Sequence, residues 1–349
     1  MRLPEAIVME ILAKLPIKSV MRFISVCKHW CSYSQTPYFS TQHRHYALEN
    51  NRLCLLVTRL HSTPRSQVLY FSQFSTHHNI QIPFLENCEC VRRICGPCNG
   101  LLCLHNDDDC AIWNPSTREI KILPRPHSGR GGDSWIAAAF DLFNFGFDYT
   151  THDYIVIKVF VSPHKDEQRN TMYKVELYSL KTNSWKIIFR PLRLDFNYKG
   201  FSTCINRCFY WMRTSTICAF DLRDEKFSNL TYPCDWYDPS SNPSAMFDLD
   251  GSLTFVFGRQ QGAESSFAVW VMNGSWTQIW SIESVFGVEG PLGFWKNGEL
   301  CLQGCNNQEL LVFDPVIGEF KGLGIDACGV ITFVENIVSI NGKLDMRRA

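Results

Sequence analysis

One strand–turn–strand pattern recurs along most of the chain. It appears as CAIWNPSTREIKIL, VELYSLKTNSWKII, ICAFDLRDEKFSNL, FAVWVMNGSWTQIW and LLVFDPVIGEFKGL, with a weaker copy in QVLYFSQFSTHHNIQIPF. In each, β-branched and aromatic residues flank a polar turn, which is the composition of a hairpin. The central aromatics are Tyr70, Trp113, Tyr178, Phe220, Trp270 and Phe313, at intervals of 43, 65, 42, 50 and 43 residues. Most units carry a further strand upstream, as in GLLCL, CFYWM, SLTFVFG and ELCLQ. A period of ~40–50 residues with four strands per unit is the mark of a β-propeller blade. Six units predict six blades over residues 52–340. The long interval keeps FGFDYTTHDYIVIKVFV as inner strands and adds HSGRGGDSW as a loop. The last run, CGVITFVENIVSI, is read as a strand that ties the last blade to the first, because an open sheet edge invites aggregation.

The first 45 residues follow a different rule. Ile7, Val8, Ile11, Leu12 and Leu15 fall at helical spacing, and so do Val20, Phe23, Ile24 and Cys27, while Val26 and Trp30 lie off the second stripe. Pro4 suits a first helical turn, and Pro16 stops the helix before it. About 45 residues are too few to bury this much apolar surface alone. Amphipathic helices of this kind are satisfied by a partner's groove.

Composition removes several function classes. Lys plus Arg and Asp plus Glu stand at 34 each, so no net field attracts nucleic acid or an anionic membrane, and neither is expected as a partner. The longest uncharged run, SSFAVWVMNGSWTQIWSI, is split by Asn273-Gly274, a hairpin signal, and reads as two strands rather than a membrane helix. No targeting segment is read at the N-terminus. Sixteen cysteines in 349 residues fall below the density of a disulfide scaffold. Many lie in strand-like runs and read as buried thiols in a reducing compartment. Cys88, Cys90, Cys95 and Cys98 are close enough for zinc but lack the paired-knuckle spacing, so no metal and no cofactor is expected. His43, His45, His77 and His78 are read as solvated surface, and NDDDC as a polar turn rather than a calcium loop. No phosphate loop or nucleophile elbow is present.

The stretch LPEAIVMEILAKLPIKSVMRFISVCKHW resembles an F-box, with two Leu-Pro pairs, an Ile-Leu and a Val-Cys-Lys-x-Trp in order. It departs at Ala6, where an acidic residue is common, without losing an apolar position. CNGLLCL, AIWNPSTREIKILP, FGFDYTTHDYIVIKV and VELYSLKTNSWKII together resemble the F-box-associated, kelch-like domain that accompanies it in plants. The resemblance implies a small all-α F-box, residues 1–45, and an all-β propeller, residues 52–340. It implies a non-catalytic substrate receptor of a cullin-type ubiquitin ligase, in the cytoplasm, the nucleus or both. The F-box docks on a Skp-type adaptor and, through it, cullin; the propeller holds a protein substrate. By motif position the adaptor contacts are Leu3, Pro4, Ile11, Leu12, Leu15, Pro16, Val20, Phe23, Val26, Cys27 and Trp30. Each has the alternative of packing within the F-box itself, and Leu12 and Trp30 are read as doing both. Two other classes stand beside this reading. One is an interaction scaffold that binds without directing ubiquitin transfer. The other is a propeller enzyme, which needs metal ligands or paired carboxylates on one rim and leaves the helices unexplained.

One inter-strand loop, TYPCDWYDPSSNPS, stands out as a candidate substrate contact. Three prolines stiffen it, and Tyr232, Trp236 and Tyr237 give it the residue types enriched among interface anchors. The alternative is that Trp236 folds down to cap the neighbouring blade.

Overall fold

The computed structural model describes residues 4–34, 36–59, 67–73, 76–81, 93–105, 109–127, 136–137, 142–165, 171–190, 198–233, 244–306 and 308–341. Four helices come first: α1 (Glu5–Ala13), α2 (Ile17–Val26), α3 (Lys28–Ser34) and α4 (Pro37–Glu49). Pro16 separates α1 from α2, because it has no N–H to continue the first and its fixed φ opens the second. Cys27 takes an extended backbone and separates α2 from α3. Thr36 caps α4: its Oγ1 accepts from the Phe39 N–H at 3.2 Å, with Pro37 in the first turn. The buried face of α2 is Ile17, Val20, Met21 and Ile24, at helical spacing. With Leu12, Ala13 and Phe39 it makes one core. Of the predicted stripe Val20, Phe23, Ile24 and Cys27, Val20 and Ile24 lie in that core, whereas Phe23 is exposed and Cys27 half-buried, and Ile17 and Met21 fill the face instead.

All other described elements except one short helical turn are strands. β1 (Leu53–Thr58), β2 (Gln67–Gln73) and β3 (Thr76–Gln81) form a sheet with the last strand, β25 (Gly329–Val334), in the order β25-β1-β2-β3. The next sheet is β4 (Arg93–Cys98), β5 (Leu101–His105), β6 (Cys110–Asn114) and β7 (Glu119–Ile122). It is followed by a sheet of β8 (Ile136–Ala137), β9 (Phe143–Asp148), β10 (Asp153–Lys165), β11 (Thr171–Ser179) and β12 (Ser184–Arg190). Then come β13 (Tyr198–Ile205) to β16 (Lys226–Leu230), β17 (Ala245–Leu249) to β20 (Ser275–Phe286), and β21 (Val288–Phe294) to β24 (Glu319–Asp326), each a simple antiparallel meander.

The architecture is a short helical segment followed by a β-propeller. Among the described residues, five sheets have the four-stranded blade form, not the six blades that the repeats predicted. The sheet of residues 136–190 has five strands. The reason is the length of β10: Asp153–Lys158 pairs with β9, and Phe160 and Val161 beyond it take up β8. The sequence reading of that region as two inner strands and a loop missed β8.

The repeat pattern has a structural cause. Tyr70, Trp113, Tyr178, Phe220, Trp270 and Phe313 all fall in the third strand of their sheets, on β2, β6, β11, β15 (Ile217–Asp221), β19 (Glu264–Asn273) and β23 (Glu309–Asp314). In three sheets the aromatic faces a second ring across the outer hairpin. Tyr178–Trp185, Phe220–Phe227 and Phe313–Phe320 have ring centroids 5.4, 4.6 and 4.8 Å apart. The turns between them are also alike. Asn114 Oδ1 accepts from the Ser116 N–H at 2.9 Å, Asp221 Oδ1 from the Arg223 N–H at 2.7 Å, and Asp314 Oδ1 from the Val316 N–H at 2.8 Å. In the third sheet Ser179 Oγ accepts from the Thr182 N–H at 3.1 Å. Four residues after each acceptor the chain turns left-handed, at Arg118, Asn183, Glu225 and Gly318. In the fifth sheet Asn273 and Ser275 pair across Gly274, as the Asn-Gly signal predicted, and the run reads as strand on both sides.

The chain divides into two compact units, Met1–Leu123 with Ile331–Ala349, and Pro124–Val330. The first holds the four helices, β1 to β3, the β4–β7 sheet and the C-terminal segment. Its β-core is Cys54, Leu56, Leu102, Leu104, Trp113 and Phe333. The second holds the remaining sheets, with large cores around Phe209, Trp211 and Phe220 and around Phe255 and Phe257. The final strand ends at Val334, shorter than the run CGVITFVENIVSI suggested, because residues beyond it bond to side chains instead of a ladder. Asn114 Nδ2 donates to the Asn336 and Val338 carbonyls, each at 2.9 Å, and Asn336 Nδ2 donates to the Asn99 carbonyl at 2.7 Å. This passage needs Gly100: a Cβ there would lie 2.6 Å from both the Val334 carbonyl oxygen and Asn336 Cβ.

Candidate functional site

The helical segment presents the apolar residues that its own core does not absorb. On α1, Ile7 and Ile11 are one turn apart and both exposed. On α2, Phe23 and Val26 are exposed, Val26 to 79%. The half-buried Trp30 on α3 meets the Phe23 ring edge-on, centroids 5.8 Å apart. Scattered apolar residues on a surface are ordinary; here four exposed ones lie on two short helices, with the half-buried Trp30 beside them.

The predicted contact residues separate into two groups. Pro4, Ile11, Pro16, Phe23 and Val26 are exposed, and Leu15, Cys27 and Trp30 are half-buried. Leu12 and Val20 are 4% and 0% exposed, so in this chain they build the core beneath the face and do not offer contact area. Leu3 lies outside the described residues. Ile7 was counted in a stripe but omitted from the contact set; its place one turn before Ile11 was the available signal.

Polar groups hold the first helical turns in place. The Leu15 carbonyl, in the turn between α1 and α2, accepts from His43 Nε2 on α4 at 3.0 Å. Arg52 Nη1 donates to the neighbouring Lys14 carbonyl at 2.9 Å. His43 is buried, not solvated as its sequence context suggested. Burial lowers its pKa below the ordinary 6.5, so the ring is held neutral with its proton on Nε2, facing that carbonyl. At the other end of α1, His29 Nε2 lies 2.9 Å from Glu5 Oε1 and 2.9 Å from the Tyr33 hydroxyl. Hydrogen bonding to Tyr33 and then to His29 lowers the Glu5 pKa, and the same carboxylate pushes Tyr33 up to about 12.

On the blades, Tyr232 lies in the core. It is buried, its hydroxyl donates to the Arg213 carbonyl at 2.6 Å, and its ring stands 5.1 Å from that of Phe255. The reading of Tyr232 as a substrate contact is corrected accordingly: an aromatic with a polar tip is buried once that tip has a partner. Trp236 and Tyr237 lie outside the described residues. The β23–β24 turn carries a signal that was missed. At its tip, where the matching turns have Ser116-Thr117, Lys181-Thr182 and Arg223-Asp224, the chain has Val316-Ile317. These are 84% and 64% exposed, and Phe320 beside them is also exposed. Aligning the repeats at the turn rather than at the aromatic would have found them.

Among the described residues, no group of three His, Cys, Asp or Glu side chains could hold a metal ion. Burial pushes the Cys103 and Cys301 thiols well up, and Cys218 up to about 12, which removes them as thiolate nucleophiles. Cys88 and Cys90 lie outside the described residues, whereas Cys95 is buried and Cys98 half-buried in β4. No helix among the described residues is long and apolar enough to cross a membrane.

Residues 1–41 match the F-box domain, and residues 45–319 match the F-box associated beta propeller domain. Among curated proteins, the chain is 26% identical to F-box protein CPR1 of Arabidopsis thaliana, over 97% of this chain and 88% of that one. It is 25% identical to the F-box/LRR-repeat protein At2g43260 of the same plant, over 97% and 82%. Among solved structures it resembles the acylaminoacyl peptidase of Pyrococcus horikoshii at 9% identity and TM-score 0.41, covering 78% of this chain and 51% of that one; a likeness at that level carries no argument.

Proposed function

Because the chain belongs to the F-box proteins that carry an F-box associated beta propeller domain, we propose that it is the substrate-recognition subunit of a Skp-cullin-F-box type ubiquitin ligase. The observation that carries this reading is the apolar face of the helical segment, with Ile11, Phe23 and Val26 exposed outside the buried core. Apolar side chains that this core leaves exposed are surface kept for a partner. Residues 1–45 dock on a Skp-type adaptor and, through it, cullin; residues 52–340 hold a protein substrate. Pro4, Ile7, Ile11, Leu15, Pro16, Phe23, Val26, Cys27 and Trp30 supply the contact area, with Leu3 at the start of the motif. Leu12 and Val20 hold it in shape. The chain itself is non-catalytic and works in the cytoplasm or nucleus. On the propeller, substrate recognition draws on Trp236, Tyr237 and the Val316-Ile317 tip.

The test is titration of the full chain with a purified Skp-type adaptor, followed by reconstitution with cullin. The parent binds, and Phe23→Ala and Val26→Asp bind more weakly with unchanged melting temperatures. A parent chain that does not bind the adaptor overturns the reading. Adaptor binding with no recruitment of cullin replaces it with the scaffold reading.

A further inference from the structure

The core of the helical segment contains a residue from the opposite end of the chain. Ile337 is 0% exposed and packs with Leu12, Ala13, Ile17, Val20, Met21, Ile24 and Phe39. It stands in a strap of residues 335–341 that follows the last strand. The two residues beside Ile337 are bound to the turn between β6 and β7 and to the β4–β5 hairpin. The Asn336 N–H donates to Ser116 Oγ at 3.2 Å, in addition to the amide contacts with Asn114 and Asn99. Further along, the strap is gripped by one carboxylate. Glu119, itself buried, accepts from the Ser339 hydroxyl at 3.1 Å, the Ile340 N–H at 3.0 Å and the Asn341 N–H at 2.9 Å. Charge-assisted bonds to a buried carboxylate are strong and directional. Both faces of the strap are therefore used: Asn336 and residues 339–341 fasten it to the sheet, and Ile337 enters the helices.

We infer that this strap is a structural part of the adaptor-binding unit and that Ile337 is its positioning residue. The four helices do not complete their core from their own sequence. The strap supplies the missing apolar side chain beneath Leu12 and Val20, on whose packing the exposed Ile11, Phe23 and Val26 depend. The inference reaches beyond the matched regions, which end at residue 319. It rests on the adaptor reading only for its binding measurement.

The experiment uses the full chain and reads amide hydrogen exchange without adaptor, then adaptor affinity by calorimetry. Ile337→Asp is expected to speed exchange in α1 and α2 at least tenfold and weaken adaptor binding at least tenfold. Exchange in β14 (Cys208–Arg213) and β18 (Ser252–Gln261) stays at the parental rate. Ile337→Leu restores both measurements, and Glu119→Gln, which leaves the helices untouched, moves them in the same direction by less. If Ile337→Asp does not fold, Ile337→Ala serves with the same expectations. Parental exchange in α1 and α2 with either variant overturns the inference. So does a change spread evenly over the helices and β14 and β18, which would make Ile337 a residue of general stability. A parent that fails to bind adaptor sinks the adaptor reading and leaves the exchange result standing.

Discussion

At the scale of single residues, position relative to the helical core decides what a substitution tests. Leu12 and Val20 lie inside it, so Leu12→Arg is expected to unfold the helices rather than probe an interface, because an unpaired charge in an apolar core is not tolerated. Phe23 and Val26 lie outside it. Phe23→Ala should weaken adaptor binding by about 2 kcal/mol, roughly thirtyfold, with the melting curve unchanged. Calorimetry paired with a thermal melt separates the two cases, and a lower melting temperature for Phe23→Ala would move that residue into the core. His43 makes a second prediction. Burial lowers its pKa in the folded chain below the ordinary 6.5, so the unfolded chain binds a proton that the folded chain resists. Its contribution is complete above about pH 6.5 and declines as pH falls below that value. Helix melting by circular dichroism at about pH 7.5 and about pH 5.5 should show a loss on acidification that His43→Gln reduces. The contact motif around Leu3 and Leu15 was legible as a set of residue types. The division of Leu12 and Val20 from Phe23 and Val26 was not, because it depends on which face α4 and the strap cover.

At the scale of elements, the repeat was legible because each unit solves the same problem with the same parts. A third-strand aromatic fixes the register, and an Asn, Asp or Ser side chain folds the outer turn. The extra strand β8 was not legible, since two residues beside an insert have no period of their own. The burial of Tyr232 also escaped notice, because its partner is the backbone of Arg213, distant in sequence. Two glycines separate close packing from turn geometry. Gly100→Ala should cost about 2–4 kcal/mol through overpacking against Asn336 and Val334 plus left-handed strain. Gly318→Ala meets open space and should cost only about 1 kcal/mol, from the strain alone. Denaturant midpoints compare them, and equal shifts would argue against the close approach of the C-terminal segment. The Val316-Ile317 tip gives the complementary case. Replacing both with Ser should leave the midpoint in place, since both are exposed, and should reduce the proteins co-purified from cells under proteasome inhibition. An unchanged co-purified set would remove the tip from substrate recognition.

At the scale of the whole molecule, the two ends of the chain share one sheet, with β25 beside β1. Deleting residues 328–349 should therefore lower the melting temperature of the strands as well as the helices. A truncated chain whose strands melt like the parent's would contradict the role of β25 in holding the first sheet. The shared sheet also has a consequence during synthesis. A ribosome adds about 5–20 residues per second, so the stretch from Thr58 to Gly329 takes on the order of tens of seconds to emerge. For that whole interval β1 has an open edge and the N-terminal helices lack Ile337, although their own residues left the ribosome first. Until β25 emerges, the β1 edge is unpaired, the kind of edge that invites aggregation in a nascent chain. A chain that stops before residue 329 lacks both the β25 partner of β1 and the Ile337 side chain of the helical core, so both of these parts stay incomplete.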